Sequence, residues 1–268
     1  PIEPEQIMLL REDKWKRLPP TFYILNFFKM NNIIRVFLLL FFMNIFSQEI
    51  ELNDTLNIFI LEEVKVSTIR AKSTDPVTHT NINKEDIKSR NLGQDIPILL
   101  NYLPGVVTTS DAGAGIGYTG IRVRGSDASR VNVTLNGIPF NDSESQGTFW
   151  VNLPDFASSV ESIQLQRGVG TSTNGSGAFG ASLNILTDAV QDDTFASLSS
   201  SVGSFNTFRN TLKFSTGLLS NHFELSGRLS KINSDGYIDR ASSNLKSYFL
   251  QGAFRDKNTL IKALAFGG

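Results

Sequence analysis

There is no cysteine in this chain. A disulfide scaffold and a thiolate metal centre are excluded on that ground alone. Histidine is almost as scarce. His79 and His222 are the only two, they stand far apart in polar stretches, and a structural zinc site has nothing to build on. An excess of charge of either sign is also lacking. Lys and Arg number 25 against 26 Asp and Glu, a formal net charge of -1 over 268 residues. Nothing therefore suggests the basic face that binds nucleic acid. Nucleophile elbow, P-loop and paired catalytic carboxylates are missing too, so the sequence offers no catalytic residue, no metal site and no cofactor site. One literal G-x-G-x-x-G does occur, "GIGYTG" at residues 115–120, with Asp142 about 20 residues on. A dinucleotide loop must open a helix, whose N-terminus holds the pyrophosphate. The residues that follow here, "IRVRG", read as strand, so the loop is read as a flexible glycine turn.

Long apolar runs are short supply as well. Residues 36–46 form one, preceded by Arg35 and followed by Ser47. It falls below the roughly 20 residues a membrane helix needs. A positive start, a short apolar middle and a small residue at the cut are the grammar of a cleaved secretory leader. Residues 30–47 are thus expected to be a signal peptide, with the mature chain starting at Gln48. Residues 1–29 begin with Pro and precede Met30. They are expected to be upstream sequence outside the working protein.

What is present is patterned β-structure. Residues 48–80 read as a flexible polar segment with one strand-competent piece, "LEEVKVS". Asn83 is placed to cap a helix, with Asp86 three residues on. A second short helix carries Ile96, Leu99, Leu100 and Leu103 on one side, and Pro104-Gly105 ends it. Strands follow at residues 106–109, 121–124 and 131–135, and Asn136-Gly137 marks a tight turn. Residues 154–159 suit a helical turn. A strand at 160–167 sets Ile163 and Leu165 against Gln164 and Gln166. A glycine-rich reversal leads to a last strand at 183–187. The whole reads as a small α+β domain over residues 76–190, large enough for a modest core.

The grammar changes after Thr194. Phe208, Asn210, Leu212 and Phe214 alternate with Arg209, Thr211, Lys213 and Ser215. Phe223, Leu225 and Leu229 alternate with Glu224, Ser226 and Arg228. About five such strands are expected over residues 191–268, with short turns at one end and a longer polar connection, "NSDGYIDRASSN", at the other. A soluble β-sandwich uses the same alternation. The leader favours a transmembrane barrel. Five strands cannot close one, and an open edge in lipid is not tolerated, so the expectation is the start of a longer barrel.

Residues 61–187 resemble the plug domain of TonB-dependent outer-membrane receptors. The likeness is carried by "LLNYLPGV", "IRVRG", "VTLNGIPFND" and "VESIQLQRGVGTSTNGSGAFGASLNILT", in the family's order and spacing. It covers about half of the chain. The fold it implies is an α+β plug domain followed by the first strands of a transmembrane antiparallel β-barrel, incomplete here and twenty-two-stranded in the family. Three positions depart from the family pattern: Gln164 replaces an acid, Ala181 a second glycine, and Asn136 the aspartate of an Asp-Gly turn.

The resemblance also implies a function. Such receptors take up a scarce nutrient, most often an iron–siderophore complex, driven by the proton gradient through TonB, ExbB and ExbD. Haem, cobalamin or a glycan are the alternative ligands. The family's TonB box falls on Leu61, Glu62, Glu63, Val64, Lys65 and Val66, where an added strand would pair with TonB. Ligand contacts fall on three plug loops: Asp111 and Tyr118 in the first, Asp127, Ser129 and Arg130 in the second, and Asn141, Asp142, Glu144, Gln146, Phe149 and Trp150 in the third. Arg122, Arg124 and Arg167 are expected to pair with carboxylates on the barrel wall, since a plug in a polar lumen must satisfy its surface with polar contacts. Two readings of other classes stand beside this one. A secreted soluble β-rich adhesin or binding module would share the alternation, and a secreted enzyme would cluster titratable residues in one loop.

Overall fold

The computed structural model describes residues 69–170 and 178–268. All belong to one compact unit running from Ile58 to Gly268. The leader, the 1–29 extension and the proposed TonB box lie outside the described residues, as do residues 171–177 of the glycine-rich reversal.

The first part holds strand β1 (His79–Ile82), helices α1 (Lys84–Arg90) and α2 (Ile96–Leu99), and a hairpin of β2 (Val106–Ser110) and β3 (Thr119–Val123). It continues through β4 (Val131–Leu135), β5 (Ile138–Pro139), β6 (Val160–Arg167) and β7 (Ala181–Thr187). The main sheet has the order β1-β6-β7-β4-β5, with β4 parallel to β7 and every other pair antiparallel. Local chemistry sets these elements. The Asn83 side chain accepts from the Asp86 amide at 2.8 Å and so caps α1. Asn136 and Gly137 both take positive φ, 48° and 81°, the conformation a two-residue hairpin turn demands. Strand β1 starts at the end of the segment read as flexible as far as residue 80 and runs two residues past it. Its four residues lack a long apolar pattern, and its place is fixed by pairing with β6.

One face of this sheet is apolar. Ile163, Leu165, Leu183, Ile185, Val131, Val133 and Leu135 are all buried and join the two helices in a single core. The opposite face is polar and equally buried, with Gln164, Gln166, Ser182, Asn184 and Thr134.

The second part is an antiparallel meander of five strands: β8 (Thr194–Gly203), β9 (Thr207–Thr216), β10 (Phe223–Ser234), β11 (Ser243–Asp256) and β12 (Thr259–Gly267). The sheet is open, with β8 and β12 at its edges. Among the described residues no helix is long and apolar enough to cross a membrane. The alternation read from sequence holds in β9 and β10. Phe208, Leu212, Phe223, Leu225 and Leu229 face outward, and Arg209, Thr211, Ser215, Glu224, Ser226 and Arg228 are buried inward. In β11 and β12 the inner face turns apolar at Phe249, Leu264 and Phe266. These pack on Phe156 and Phe140, with Phe156 and Phe266 ring centroids 5.3 Å apart. The seam between the two parts is thus polar over β9 and β10 and gains an aromatic patch over β11 and β12.

Candidate functional site

The seam is built around one carboxylate. Asp155 ends the Leu153-Pro154 stretch and starts the 3-10 turn Phe156–Ser159, with φ 54° and ψ 23°. A left-handed conformation is unfavourable for a residue with a Cβ and persists only where surroundings enforce it. Here the facing strands do so. Arg209 on β9 lies 2.9 Å from Asp155 Oδ1, and Arg228 on β10 lies 3.4 Å from Oδ2. The hydroxyls of Thr211 and Ser230 donate to Oδ2 at 2.6 and 2.5 Å, and that of Ser158 donates to Oδ1 at 2.7 Å. Arg228 also donates to the carbonyls of Pro154 and Asp155, and Ser247 donates to Pro154 at 2.8 Å. Arg228 is 1% exposed. Burial pushes the Asp155 carboxyl upward, but Arg228, Arg209 and the two strand hydroxyls outweigh it and hold it below the usual carboxylate range.

A second carboxylate, Asp188, follows the end of β7. Lys213 of β9 reaches it at 2.5 Å and Lys84 of α1 at 3.1 Å. Lys84 also pairs with Glu161 at 2.7 Å. A cleft of about 450 Å³ lies beside these groups, lined among others by Lys84, Lys88, Asp188, Arg209 and Lys213. Where the meander begins, Glu224 accepts from the Gln191 amide and from Ser215.

The ion pairs that cross the described part of the seam run one way, with Arg209, Arg228 and Lys213 of the strand wall on Asp155 and Asp188 of the α+β part. Among the described residues, Arg122, Arg124 and Arg167 make no ion pair. Arg122 and Arg124 are exposed, and the Arg167 Nη1 is buried without a hydrogen-bond partner. Sequence reasoning missed Asp155 and Asp188. The signal that could have found them was already legible: Arg209, Lys213 and Arg228 stand at inward positions, and a buried cation needs a partner.

The three loops do not form one cluster in the structure. Residues 111–118 close one end of the β2–β3 hairpin, and residues 126–130 follow its other end. The first loop lies against the β10–β11 connection. Ala112 accepts from the Tyr237 and Ile238 amides at 2.8 and 3.2 Å. Gly113 is needed there: it has φ 70°, and a Cβ would sit 2.9 Å from Tyr237 Cβ. The third loop is tied to the Val131 end of β4, which the second loop precedes. The Asn141 side chain accepts from the Val133 amide at 2.7 Å and donates to the carbonyls of Val131 and Gln146.

Several of the polar loop residues are engaged in shaping their own loops. Asp127 accepts from the Ser129 amide and hydroxyl, and Asp142 from the amides of Glu144 and Ser145. The Ser129 hydroxyl holds the Asp127 carboxyl below its ordinary range, and the Ser145 amide does the same for Asp142. Asp111, Asp127, Arg130, Asp142, Glu144 and Gln146 are exposed. Tyr118 is also exposed, and Arg130 stacks over Phe179 at 5.3 Å. The aromatic pair of the third loop divides. Phe149 is 49% exposed, whereas Trp150 is 3% exposed and belongs to the core. Trp150 is therefore removed from the exposed set. Its bulk is used in packing, as large aromatic side chains commonly are.

Residues 71–182 match the family model described as "TonB-dependent Receptor Plug Domain". Residues 71–182 are thus a plug domain of the TonB-dependent receptor type. The five-stranded meander is the partial barrel wall beside it. The chain is 28% identical over 151 residues to the probable TonB-dependent siderophore receptor PirA of Acinetobacter baumannii, a match over 51% of this chain and 20% of that protein. It is 30% identical over 125 residues to the vitamin B12 transporter BtuB of Vibrio cholerae, over 47% of this chain and 20% of the relative. The chain thus spans about a fifth of the length of these curated relatives. Its fold superposes on the ferric yersiniabactin uptake receptor FyuA of Yersinia pestis with a TM-score of 0.58 and 16% identity, covering 74% of this chain and 32% of FyuA.

Proposed function

We propose that this TonB-dependent receptor takes up a scarce nutrient across the outer membrane, and that the nutrient is an iron–siderophore complex. The observation that carries the reading is the two-sidedness of the strand wall. Arg209 and Arg228 grip Asp155 of the plug on the inner face, while Leu212, Phe223, Leu225 and Leu229 are exposed on the outer face. A polar, plugged lumen inside an apolar belt is what a membrane-spanning barrel requires. A soluble adhesin would have no use for that outer belt. The siderophore is favoured because PirA and FyuA are described as receptors of that kind. BtuB supports cobalamin as the second reading. Haem and glycans have no such support among the relatives named here.

In this reading the chain is exported through the leader at residues 30–47, and transport is plug movement rather than catalysis. Ligand meets the exposed residues of the plug loops, Tyr118, Arg130 and Phe149 among them. TonB, energised through ExbB and ExbD, pairs with residues 61–66 by strand addition. Arg122, Arg124 and Arg167 meet carboxylates of further wall strands. The test is uptake of radiolabelled iron by a deletion strain carrying the gene, grown under iron limitation with a panel of ferric siderophores and, separately, haem. Uptake of one ferric siderophore that stops on adding a protonophore supports the reading. Uptake of labelled cobalamin alone replaces the siderophore with the second ligand, and a gene product that fractionates as a soluble protein refutes the assignment.

A further inference from the structure

The polar face of the plug sheet is organised in rows. Register sets Asn81 opposite Gln164, Gln164 opposite Asn184, and Asn184 opposite Thr134. Gln164 Nε2 donates to Asn81 Oδ1 at 2.7 Å, and the Thr134 hydroxyl donates to Asn184 Oδ1 at 2.7 Å. In the next row Gln166 stands opposite Ser182, and its Nε2 donates to Gln164 Oε1 at 2.9 Å. All but Asn81 are buried. Buried polar groups need partners, so whatever covers this face must offer backbone or side-chain polar atoms.

The chain's own lead-in, residues 69–71, does so. The Ala71 amide donates to Gln164 Oε1 at 2.8 Å, and its carbonyl accepts from Gln164 Nε2 at 2.9 Å. A side-chain amide here offers the acceptor and donor that a neighbouring strand would offer. Gln166 Nε2 donates to the Ile69 carbonyl at 3.2 Å. Between them Arg70 donates to the Ser162 hydroxyl and carbonyl and to the Asn184 carbonyl, at 3.0, 3.1 and 2.9 Å. The Ile69 side chain lies against Gly137, where a Cβ would be 2.9 Å from Ile69 Cδ1. Three consecutive residues thus cross β6, β7 and the β4–β5 turn without joining the sheet.

We propose that Gln164 and Gln166 form a clamp through which a pull on the upstream segment reaches the plug, and that this clamp opens before any strand pair separates. The proposal rests on the reading that residues 61–66 engage TonB. The order follows from geometry. The six hydrogen bonds of residues 69–71 can be broken one after another as the lead-in lifts off the face. Strand β1, with four residues paired to the β6 edge, comes next. Strands β6 and β7 share seven registered pairs in the sheet interior and come last. The chemistry also requires an amide at 164. A carboxylate there accepts from the Ala71 amide but cannot donate to the Ala71 carbonyl or to Asn81, and an aliphatic side chain does neither. Gln164 and Gln166 act on transport only by holding the lead-in, so they are positioning residues.

The experiment pulls the full-length receptor, in nanodiscs, from its N-terminus by single-molecule force spectroscopy. Gln164→Leu, Gln164→Glu and Gln166→Leu are compared with the wild type. The force of the shortest-extension peak is expected to fall by about half or more in the Gln164 variants, with later peaks unchanged. Hydrogen exchange of residues 69–71 should quicken on the order of tenfold while β4 and β7 keep their protection. Unchanged first peaks and unchanged exchange in both Gln164 variants overturn the clamp. Gln164→Glu, close to glutamine in size, keeps the test valid if Gln164→Leu does not fold. Binding of a TonB C-terminal domain to the wild-type receptor is measured separately. Failure of that binding removes the source of the pull, whereas the force peaks report on the clamp alone.

Discussion

Asp155 of the plug and Arg209 of the strand wall form a buried ion pair at 2.9 Å across the seam, with Arg228 closing on the second carboxylate oxygen. A pair of this kind is weak evidence of net stability, because both charges lose their water. Its rupture from one side is a different matter. Asp155→Ala strands two buried guanidiniums and is expected to cost about 3–5 kcal/mol of plug docking. Replacing Asp155, Arg209 and Arg228 together by apolar residues of similar volume should cost much less. Denaturant unfolding of the complete receptor, followed by a probe on the plug, measures both.

Acid acts on this seam in a defined direction. The Asp155 carboxyl is held below its ordinary range in the folded state. Its contribution is therefore present above the unfolded carboxylate pKa, near 4, and is lost as pH falls through the lower folded value. Plug docking should hold from neutrality to about pH 4 and weaken below it, and Asp155→Asn should flatten that acid limb.

Asp95 behaves in the opposite sense. It is buried beneath the first plug loop, where burial pushes its carboxyl up to about 7 against the hydrogen bonds from Thr119 and the Gly117 amide. Its Oδ1 is buried without a partner. A raised acid gives a contribution that is full below the unfolded pKa and is lost as pH rises through the folded value. Exchange protection of residues 111–119 should fall between about pH 4 and 7 in the wild type. Asp95→Asn should remove that dependence.

The two adjacent aromatics of the third loop should separate stability from binding. Trp150→Ala empties a core site and is expected to cost about 3–5 kcal/mol. Phe149→Ala removes a half-exposed ring and should cost far less while weakening ligand affinity. Thermal melts paired with ligand titration distinguish the two outcomes.

Much of the architecture could be read from the residues because periodicity carries it. The period-two alternation of Phe208 to Ser215 assigned each side chain of β9 to the face it occupies, and Asn83, Asn136 and Gly137 marked their cap and turn by local chemistry. The contacts across the seam were not legible. Asp155 lies in a loop with no period, and its partners are more than fifty residues away on strands whose register is set by the whole sheet. The same holds for Gln164. It read as a mild departure in a strand, yet it meets Ala71 only because β1 and the lead-in fold back on that face. Trp150 was ambiguous for a simpler reason: sequence gives an aromatic beside polar residues, and only packing says which of two rings turns inward.

The measurement that bears most directly on the account is a double-mutant cycle between Asp155 and Arg228 in the complete receptor, read by plug unfolding in the membrane. If the wall grips the plug through this carboxylate, the two single substitutions, Asp155→Asn and Arg228→Met, will each be strongly destabilising, and the double variant will recover at least about 2 kcal/mol of their sum. Additive effects would contradict a plug held by that contact.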